Sequence, residues 1–418
     1  MASEQIKDIA IIGGGFSGLV VALALKAQGY SPVVYELREP GHQRLAGGVV
    51  LTANGQSALD KIGALACVKD KGYSFEALYY MNEEDEIVAT TDMDGSKYQY
   101  TSTRILRGVC IEEWASLLNT QNVLIQYNAR YDGVVSERED GVTFKINGVE
   151  KTASLLIGAD GIHSSVRKFV CPSSSLEYQG LLGVMSHISV DQIRFPSKDY
   201  PHVATVMAPT GGFMVIPETP DESIVLAARQ VVYPEQDREG WRRVLEDHDK
   251  LFELLKTGYE TSHDILKSFV DAADKARDKL FIWPFYKAKV SDWTSSTGRV
   301  ILIGDAAHAL PPSSGQGVNQ ALEDSYVLAR VLGKVGPTRK LKPELMRWQN
   351  YRMARVDKIL EWVSFMESTT AADKHVETYG YKLGARATKE SLKEKSQSFG
   401  WIFSPPFGED FEQWVEGA

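Results

Sequence analysis

The sequence predicts an α/β protein: a doubly wound parallel-sheet domain, a β-sheet domain inserted into it, and a helical C-terminus. Three observations predict it. The branched apolar run Ile9 to Ile12 enters Gly13-Gly14-Gly15-Phe16-Ser17-Gly18 and then a helix rich in Ala, Leu and Val. Similar strand-to-helix passages return at Gly158 and at Gly304. Between those two lies a block of short alternating segments bounded by turn residues.

The opening stretch has the form of a Rossmann-like dinucleotide fingerprint. Its glycines satisfy G-x-G-x-x-G, the helix runs to Ala27 with Gly29 as its stop, and Val33 to Glu36 reads as a second strand ending in an acid. Gly13 permits the tight turn, Gly15 lets a pyrophosphate approach the backbone, and Gly18 lets helix and strand pack closely. The helix N-terminus offers unpaired N–H groups to phosphate. The Glu36 carboxylate can accept both hydroxyls of an adenosine ribose.

Further along, Gly47 to Thr52 reads as a strand and Ala53 to Ile62 as a helix. Residues 73 to 107 look antiparallel, Ile111 to Asn119 helical, and Val123 to Ile157 a series of strands with Asn147-Gly148 among the turns. Strands recur over residues 180 to 231, followed by charged helices over Asp237 to Thr257 and Ser262 to Lys275. Arg299 to Ile303 is again a buried strand, with a helix after it to Leu332. Lys342 to Ser396 has a helical pattern, and Trp401 to Ala418 reads as a loosely attached tail. The expected domains are residues 1–175 and 291–340 for the nucleotide-binding part, 176–290 for the inserted β-rich part and 341–418 for the helical end.

Bulk properties narrow the function. The 418 residues are 43% hydrophobic and 24% charged, as in soluble globular proteins. A net charge of −9 disfavours nucleic acid and anionic membranes as partners. Three scattered cysteines make neither a metal site nor a disulfide framework. No run has the length and character of a transmembrane segment, so a cytoplasmic monomer or homodimer is expected.

Three segments taken together, GGGFSG, GADGIHSSVR (Gly158 to Arg167) and GDAAHALPPSSGQGVNQALED (Gly304 to Asp324), resemble the class A flavoprotein monooxygenases. These single-component FAD enzymes include aromatic hydroxylases and many fungal natural-product oxygenases. The resemblance implies FAD as cofactor and NADPH or NADH as transient reductant. O2 adds at flavin C4a, and the hydroperoxide passes one oxygen atom to an aromatic, indole or prenylated substrate by hydroxylation or epoxidation.

The resemblance also assigns roles by position. Gly13, Gly15, Phe16, Ser17 and Gly18 would hold the pyrophosphate, with Glu36 on the ribose and Arg38 near the adenine. Gly48 and Val49 belong to the cofactor set, and Arg107 matches the arginine on the phosphate–ribityl region. Asp160, with Gly158, Gly161 and Arg167, matches a motif tied to FAD and NAD(P)H. Gly304 and Asp305 match the ribityl contact, while Pro311, Gly315, Gly317, Val318 and Asn319 would lie along the flavin ring. There the helix N–H groups meet the negative charge of reduced flavin. His308 is expected to be structural.

Substrate residues must come from the β-rich block. Phe213, Arg229, Trp283 and Tyr286 are the candidates for an apolar pocket, with Arg229 or Tyr286 as polar handle; membership of the sheet core is the competing reading. No residue stands out as a base for a phenol. An oxidase, reductase or halogenase of the same fold, or a non-catalytic flavin-binding protein, is the alternative function.

Overall fold

The computed structural model describes residues 6–41, 47–82, 84–206, 212–369 and 400–417. The strand Ile9–Ile12 is buried along its whole length and forms the centre of a five-stranded parallel sheet. Leu155–Gly158 and Val33–Tyr35 flank it, and Val300–Leu302 and Leu124–Gln126 form the edges. Full burial requires cover on both faces. Helices Phe16–Ala27, Arg107–Thr120 and Gly317–Leu332 cover one face. An antiparallel meander, Tyr131–Arg138, Gly141–Ile146 and Val149–Ala153, covers the other by pointing Val142, Phe144 and Ile146 inward.

This strand order places three motifs side by side. The adjacent strands Val300–Leu302, Leu155–Gly158 and Ile9–Ile12 run parallel, so Gly304, Asp160 and Gly13 emerge at one edge of the sheet. Ligands of open α/β sheets bind at that carboxyl edge.

A second sheet of seven strands lies across this edge, in the order Phe281–Lys289, Ser175–Ser189, Ile224–Val232, Phe213–Pro217, Ala204–Val206, Ala77–Met81 and Ile87–Asp92. Its last two strands come from within residues 1–175, so this sheet is not built from the inserted block alone. Helices Arg238–Glu246, His248–Leu255 and Asp264–Asp274 pack on its outer face through Leu251, Phe252, Leu255 and Phe269. One helix was expected over Asp237 to Thr257; the chain instead breaks at Asp247, whose side chain accepts from the Lys250 N–H at 3.0 Å and caps a second helix. A small sheet, Gly48–Leu51, Ser102–Leu106 and Tyr73–Phe75, stands between the two large ones.

The C-terminal stretch is not a loose tail. Ile402, Phe403, Phe407, Phe411 and Val415 are buried, and Arg330 pairs with Glu412 at 2.6 Å. Full burial of each large apolar side chain contributes about 1.5–3 kcal/mol. The helical pattern over Lys342 to Ser396 is realised as Leu341–Thr369; residues 370–399 lie outside the described residues.

Candidate active site

The glycine turn is shaped by close backbone packing. Gly13 has φ +104°, and a Cβ there would come within 2.4 Å of the Ala159 carbonyl oxygen. A Cβ on Gly18 would stand 1.8 Å from the Gly13 carbonyl, so any side chain would push the helix off the strand. Gly15 differs. Nothing lies within 4 Å of its added Cβ, which leaves open space before the first helix turn, where Phe16 and Ser17 carry no acid. Glu36 Oε2 accepts the Gly14 N–H at 2.6 Å and Oε1 accepts the Arg38 N–H at 2.9 Å. The carboxylate is thereby fixed beside the turn with further lone pairs to offer, and the Arg38 side chain is exposed next to it.

The return strand meets this turn directly. A Cβ on Gly304 would fall 2.1 Å from Ser17 Oγ. The Gly304 N–H donates to Asp324 Oδ2 at 2.9 Å, and the same oxygen bonds His308 Nε2 at 2.5 Å. Arg352 Nε holds Asp324 Oδ1 at 2.8 Å. Burial pushes the Asp324 carboxyl up, but His308 and Arg352 outweigh it and bring it down to about 2. His308 is therefore committed to a structural bond.

Asp305 is exposed, with His308, Arg107 and Arg167 as its charged neighbours. Desolvation by the surrounding protein raises its pKa against the opposing pull of these three. The Arg107 guanidinium lies 4.8 Å from the Trp283 ring centre and 5.5 Å from that of Phe16. Its Nε is buried with no hydrogen-bond partner among the described residues. A buried charged donor without a partner is costly, and an anionic or polar ligand beside it removes the cost.

The other expected cofactor residues divide into open and engaged ones. Gly315, at φ +61°, and Gly317 have nothing within 4 Å of an added Cβ, so with Val318 they present bare backbone at the start of Gly317–Leu332. The Asn319 side chain accepts the Thr52 N–H at 3.0 Å and donates to the carbonyls of Val50 and Gly315, tying this helix to the strand that carries Gly48 and Val49. Pro311 closes the preceding turn through its carbonyl. Asp160 is engaged: it accepts Ser164 Oγ at 2.5 Å and the Ser165 N–H at 2.7 Å, which caps the Gly161 turn.

Three substrate candidates have their contacts on the helix-covered side of the second sheet. Phe213 packs on Phe269 with centroids 5.2 Å apart, on the sheet face covered by helices. Arg229 shares that face with Val225, Ala227 and Val231, is 1% exposed and donates to the Leu255 carbonyl at 2.9 Å. The Tyr286 hydroxyl accepts from Trp241 Nε1 at 3.0 Å on a helix of that same layer. These contacts are those of the competing reading, membership of the sheet core, although the Tyr286 ring also lies 6.3 Å from that of His163. Both faces of the sheet are apolar, so alternation identifies the partners of Arg229 without revealing which face meets the cleft. Trp283 alone faces inward, against Arg107.

The cleft face consists of the alternate residues Met185, His187, Met214, Ala228, Phe281 and Trp283, each half-buried. A polar cluster missed by sequence reasoning sits at its end. Arg104 Nη2 and Glu218 Oε1 are 2.6 Å apart, both side chains are nearly inaccessible, and His187 Nε2 lies 3.8 Å from the same oxygen. The Gly48 N–H donates to Glu218 Oε1 at 3.2 Å, and a Cβ on Gly48 would strike Glu218 Oε2 at 2.2 Å. Burial pushes the Glu218 carboxyl up, while Arg104 and His187 outweigh it and hold it below the usual range. These three residues are 31 to 114 positions apart in the chain, without a local motif to announce them.

The parallel sheet, the bare glycine backbone at Gly15 and Gly315, the unpartnered Arg107 and the exposed Asp305 define a dinucleotide flavoprotein. The FAD binding domain family matches residues 7–362, and the chain belongs to that family as a class A FAD-dependent monooxygenase. Among similar proteins, 3-amino-4-hydroxybenzoate 2-monooxygenase PtmB3 of Streptomyces platensis is 27% identical over 85% of this chain and 87% of its own length. 6-Methylsalicylate 1-monooxygenase atA of Aspergillus terreus is 24% identical over 84% of this chain and 80% of its own. Klebsiella pneumoniae HpxO complexed with FAD and uric acid shares the fold at TM-score 0.78, with 21% identity and coverage of 96% and 98%. A salicylate hydroxylase substrate complex does so at 0.76, with 19% identity and 98% coverage of both chains. No helix among the described residues is long and apolar enough to cross a membrane.

Proposed function

We propose that the chain uses NADPH or NADH and O2 to insert one oxygen atom into a small aromatic, indole or prenylated substrate, as ring hydroxylation or epoxidation. The observation that carries this reading is the cleft itself. Asp305 and Arg107 line its cofactor side, and the apolar wall Met185, Met214, Ala228 and Phe281 lines the other. FAD held there supplies the redox chemistry, taking reducing equivalents from the nicotinamide and activating oxygen.

The chain's own residues supply the rest. Gly13, Gly15 and the first helix N-terminus receive the pyrophosphate, Glu36 the adenosine ribose, and Arg107 and Asp305 the middle of the cofactor. The N–H groups of Gly317 and Val318, at a helix start without acids, stabilise negative charge on the ring. Trp283 and the methionines exclude water from the reacting face. The aromatic substrates in the names of the relatives, 3-amino-4-hydroxybenzoate and 6-methylsalicylate, support the same substrate class.

The test is oxidation of NADPH or NADH by the holoenzyme against an aromatic panel under 18O2. Substrate-stimulated oxidation with one labelled atom in the product is expected. Stimulated oxidation without label in any product would mark a reductase or oxidase instead.

A further inference from the structure

A cavity of about 410 Å³ lies between the helix Ala53–Lys61 and the small sheet, where Gln56, Asp60, Ser74, Tyr100 and Thr103 line it. None of these residues belongs to the cofactor or substrate sets described above. At its back stands Gln56, only 4% exposed. The Gln56 Nε2 donates to the Leu51 carbonyl at 2.8 Å and to the Thr101 carbonyl at 2.7 Å, which uses both of its hydrogens and fixes the amide orientation. Its Oε1 accepts no hydrogen bond among the described residues, and this is the free polar atom that Gln56 brings to the cavity. A buried amide oxygen left in this way calls for a donor.

The neighbouring groups are short of hydrogens too. The Ser74 and Thr103 hydroxyls lie 3.2 Å apart, and Thr103 donates to the Thr101 carbonyl at 3.4 Å, so Ser74 is the donor between the two. The Tyr100 hydroxyl donates to Asp60 Oδ2 at 2.8 Å. Burial, with the Asp60 carboxylate beside it, pushes that hydroxyl up to about 12, so it stays protonated and keeps the bond. Thr101 turns its hydroxyl to the Gly95 N–H at 3.2 Å. Lys69 and Gln99, whose side chains carry further hydrogens, stand exposed at the rim. The inner lining therefore offers lone pairs.

Charge and shape narrow the occupant. Two carboxylates, Asp60 and Asp70, against one cation, Lys69, leave the lining net negative. Leu65, Ala66 and the Tyr100 ring add apolar surface for a short hydrocarbon chain. An alkyl group ending in three N–H donors and a positive charge matches all of these features.

We propose that this cavity is a binding site for a primary alkylammonium, separate from the catalytic cleft. The ammonium donates to Gln56 Oε1 and to the Asp60 carboxylate, and its chain lies along Leu65 and Tyr100. The proposal does not draw on the monooxygenase reading, and its test involves no turnover.

The probes are butylammonium and butyltrimethylammonium, which carry the same charge and differ in their N–H donors, titrated calorimetrically into FAD-loaded protein near neutral pH. The wild type should bind one butylammonium, about tenfold more tightly than the trimethyl compound. Asp60→Asn keeps an acceptor for Tyr100 and removes the charge, and it should weaken butylammonium about tenfold with FAD content unchanged. Gln56→Met should weaken it similarly; because Gln56 also holds two carbonyls, the exposed Asp60 position decides where that variant fails to fold. A wild type that binds neither probe, or both equally well, overturns the proposal without any variant. So does an Asp60→Asn protein that binds butylammonium as the wild type does.

Discussion

Arg107 is held between two aromatic rings from different parts of the chain, Phe16 at the glycine turn and Trp283 on the second sheet. The Trp283 contact ties the start of the helix Arg107–Thr120 to the second sheet, and Arg107 Nε has no hydrogen-bond partner among the described residues. Replacing Arg107 by Met keeps much of the stacking bulk and removes the donor. FAD affinity should fall by about 1.5–3 kcal/mol, the range for a hydrogen bond to a charged group. Fluorescence titration checks it, and an unchanged dissociation constant would detach Arg107 from the cofactor.

Asp324 anchors the return segment and gives a pH signature. Its pKa of about 2 lies below the ordinary 3.8, so the native state favours the carboxylate more than the unfolded chain does. The resulting stability, about 2 kcal/mol, is present above the unfolded value and is lost as pH falls through 3.8 toward 2. Asp324→Asn should flatten this acid limb in urea unfolding measured against pH. It should also cost about 3–5 kcal/mol at neutral pH, because His308 and Arg352 lose a buried partner.

Arg229 and Met214 test the two faces of the second sheet. Arg229→Met should lower folding stability by about 1–3 kcal/mol through the carbonyl it leaves unpaired, with substrate affinity unchanged. Met214→Trp, on the cleft face, should do the reverse: little loss of stability and a narrowed substrate range. Both are read by thermal denaturation alongside substrate titration. An altered substrate affinity in the Arg229 variant alone would reverse the assignment of faces.

Gly18→Ala places a methyl where 1.8 Å separates it from the Gly13 carbonyl. Overpacking of this kind costs about 1–3 kcal/mol, and here the strain falls on the phosphate turn. The variant should fold with a lowered Tm and lose FAD on gel filtration. Retention of colour would show that the turn has slack.

Much of this was legible in the sequence because parallel strands and glycine turns are locally encoded. Ile9 to Gly18, Gly158 to Arg167 and Gly304 to Asp324 each state a strand, a turn and a helix start, and the sheet order merely sets them side by side. The substrate wall was not legible. Phe213 and Met214 are neighbours of similar hydrophobicity on opposite faces, and only the packing of the outer helices decides which one meets the cleft. Arg104 and His187 lie on two strands and Glu218 just past the end of a third, and they carry no spacing that a reader could find. The C-terminal stretch misled because its prolines and acids resemble a tail, while Phe403, Phe407 and Phe411 do the packing.

We propose that one FAD sits between the glycine turn, Asp305 and the second sheet. Its most direct test is titration of the apoprotein with FAD, following flavin fluorescence, for the wild type and Asp305→Ala. Saturable one-to-one binding is expected, and the substitution should abolish or greatly weaken it. A wild-type protein that binds no FAD, or an Asp305→Ala protein that binds it equally well, would contradict it.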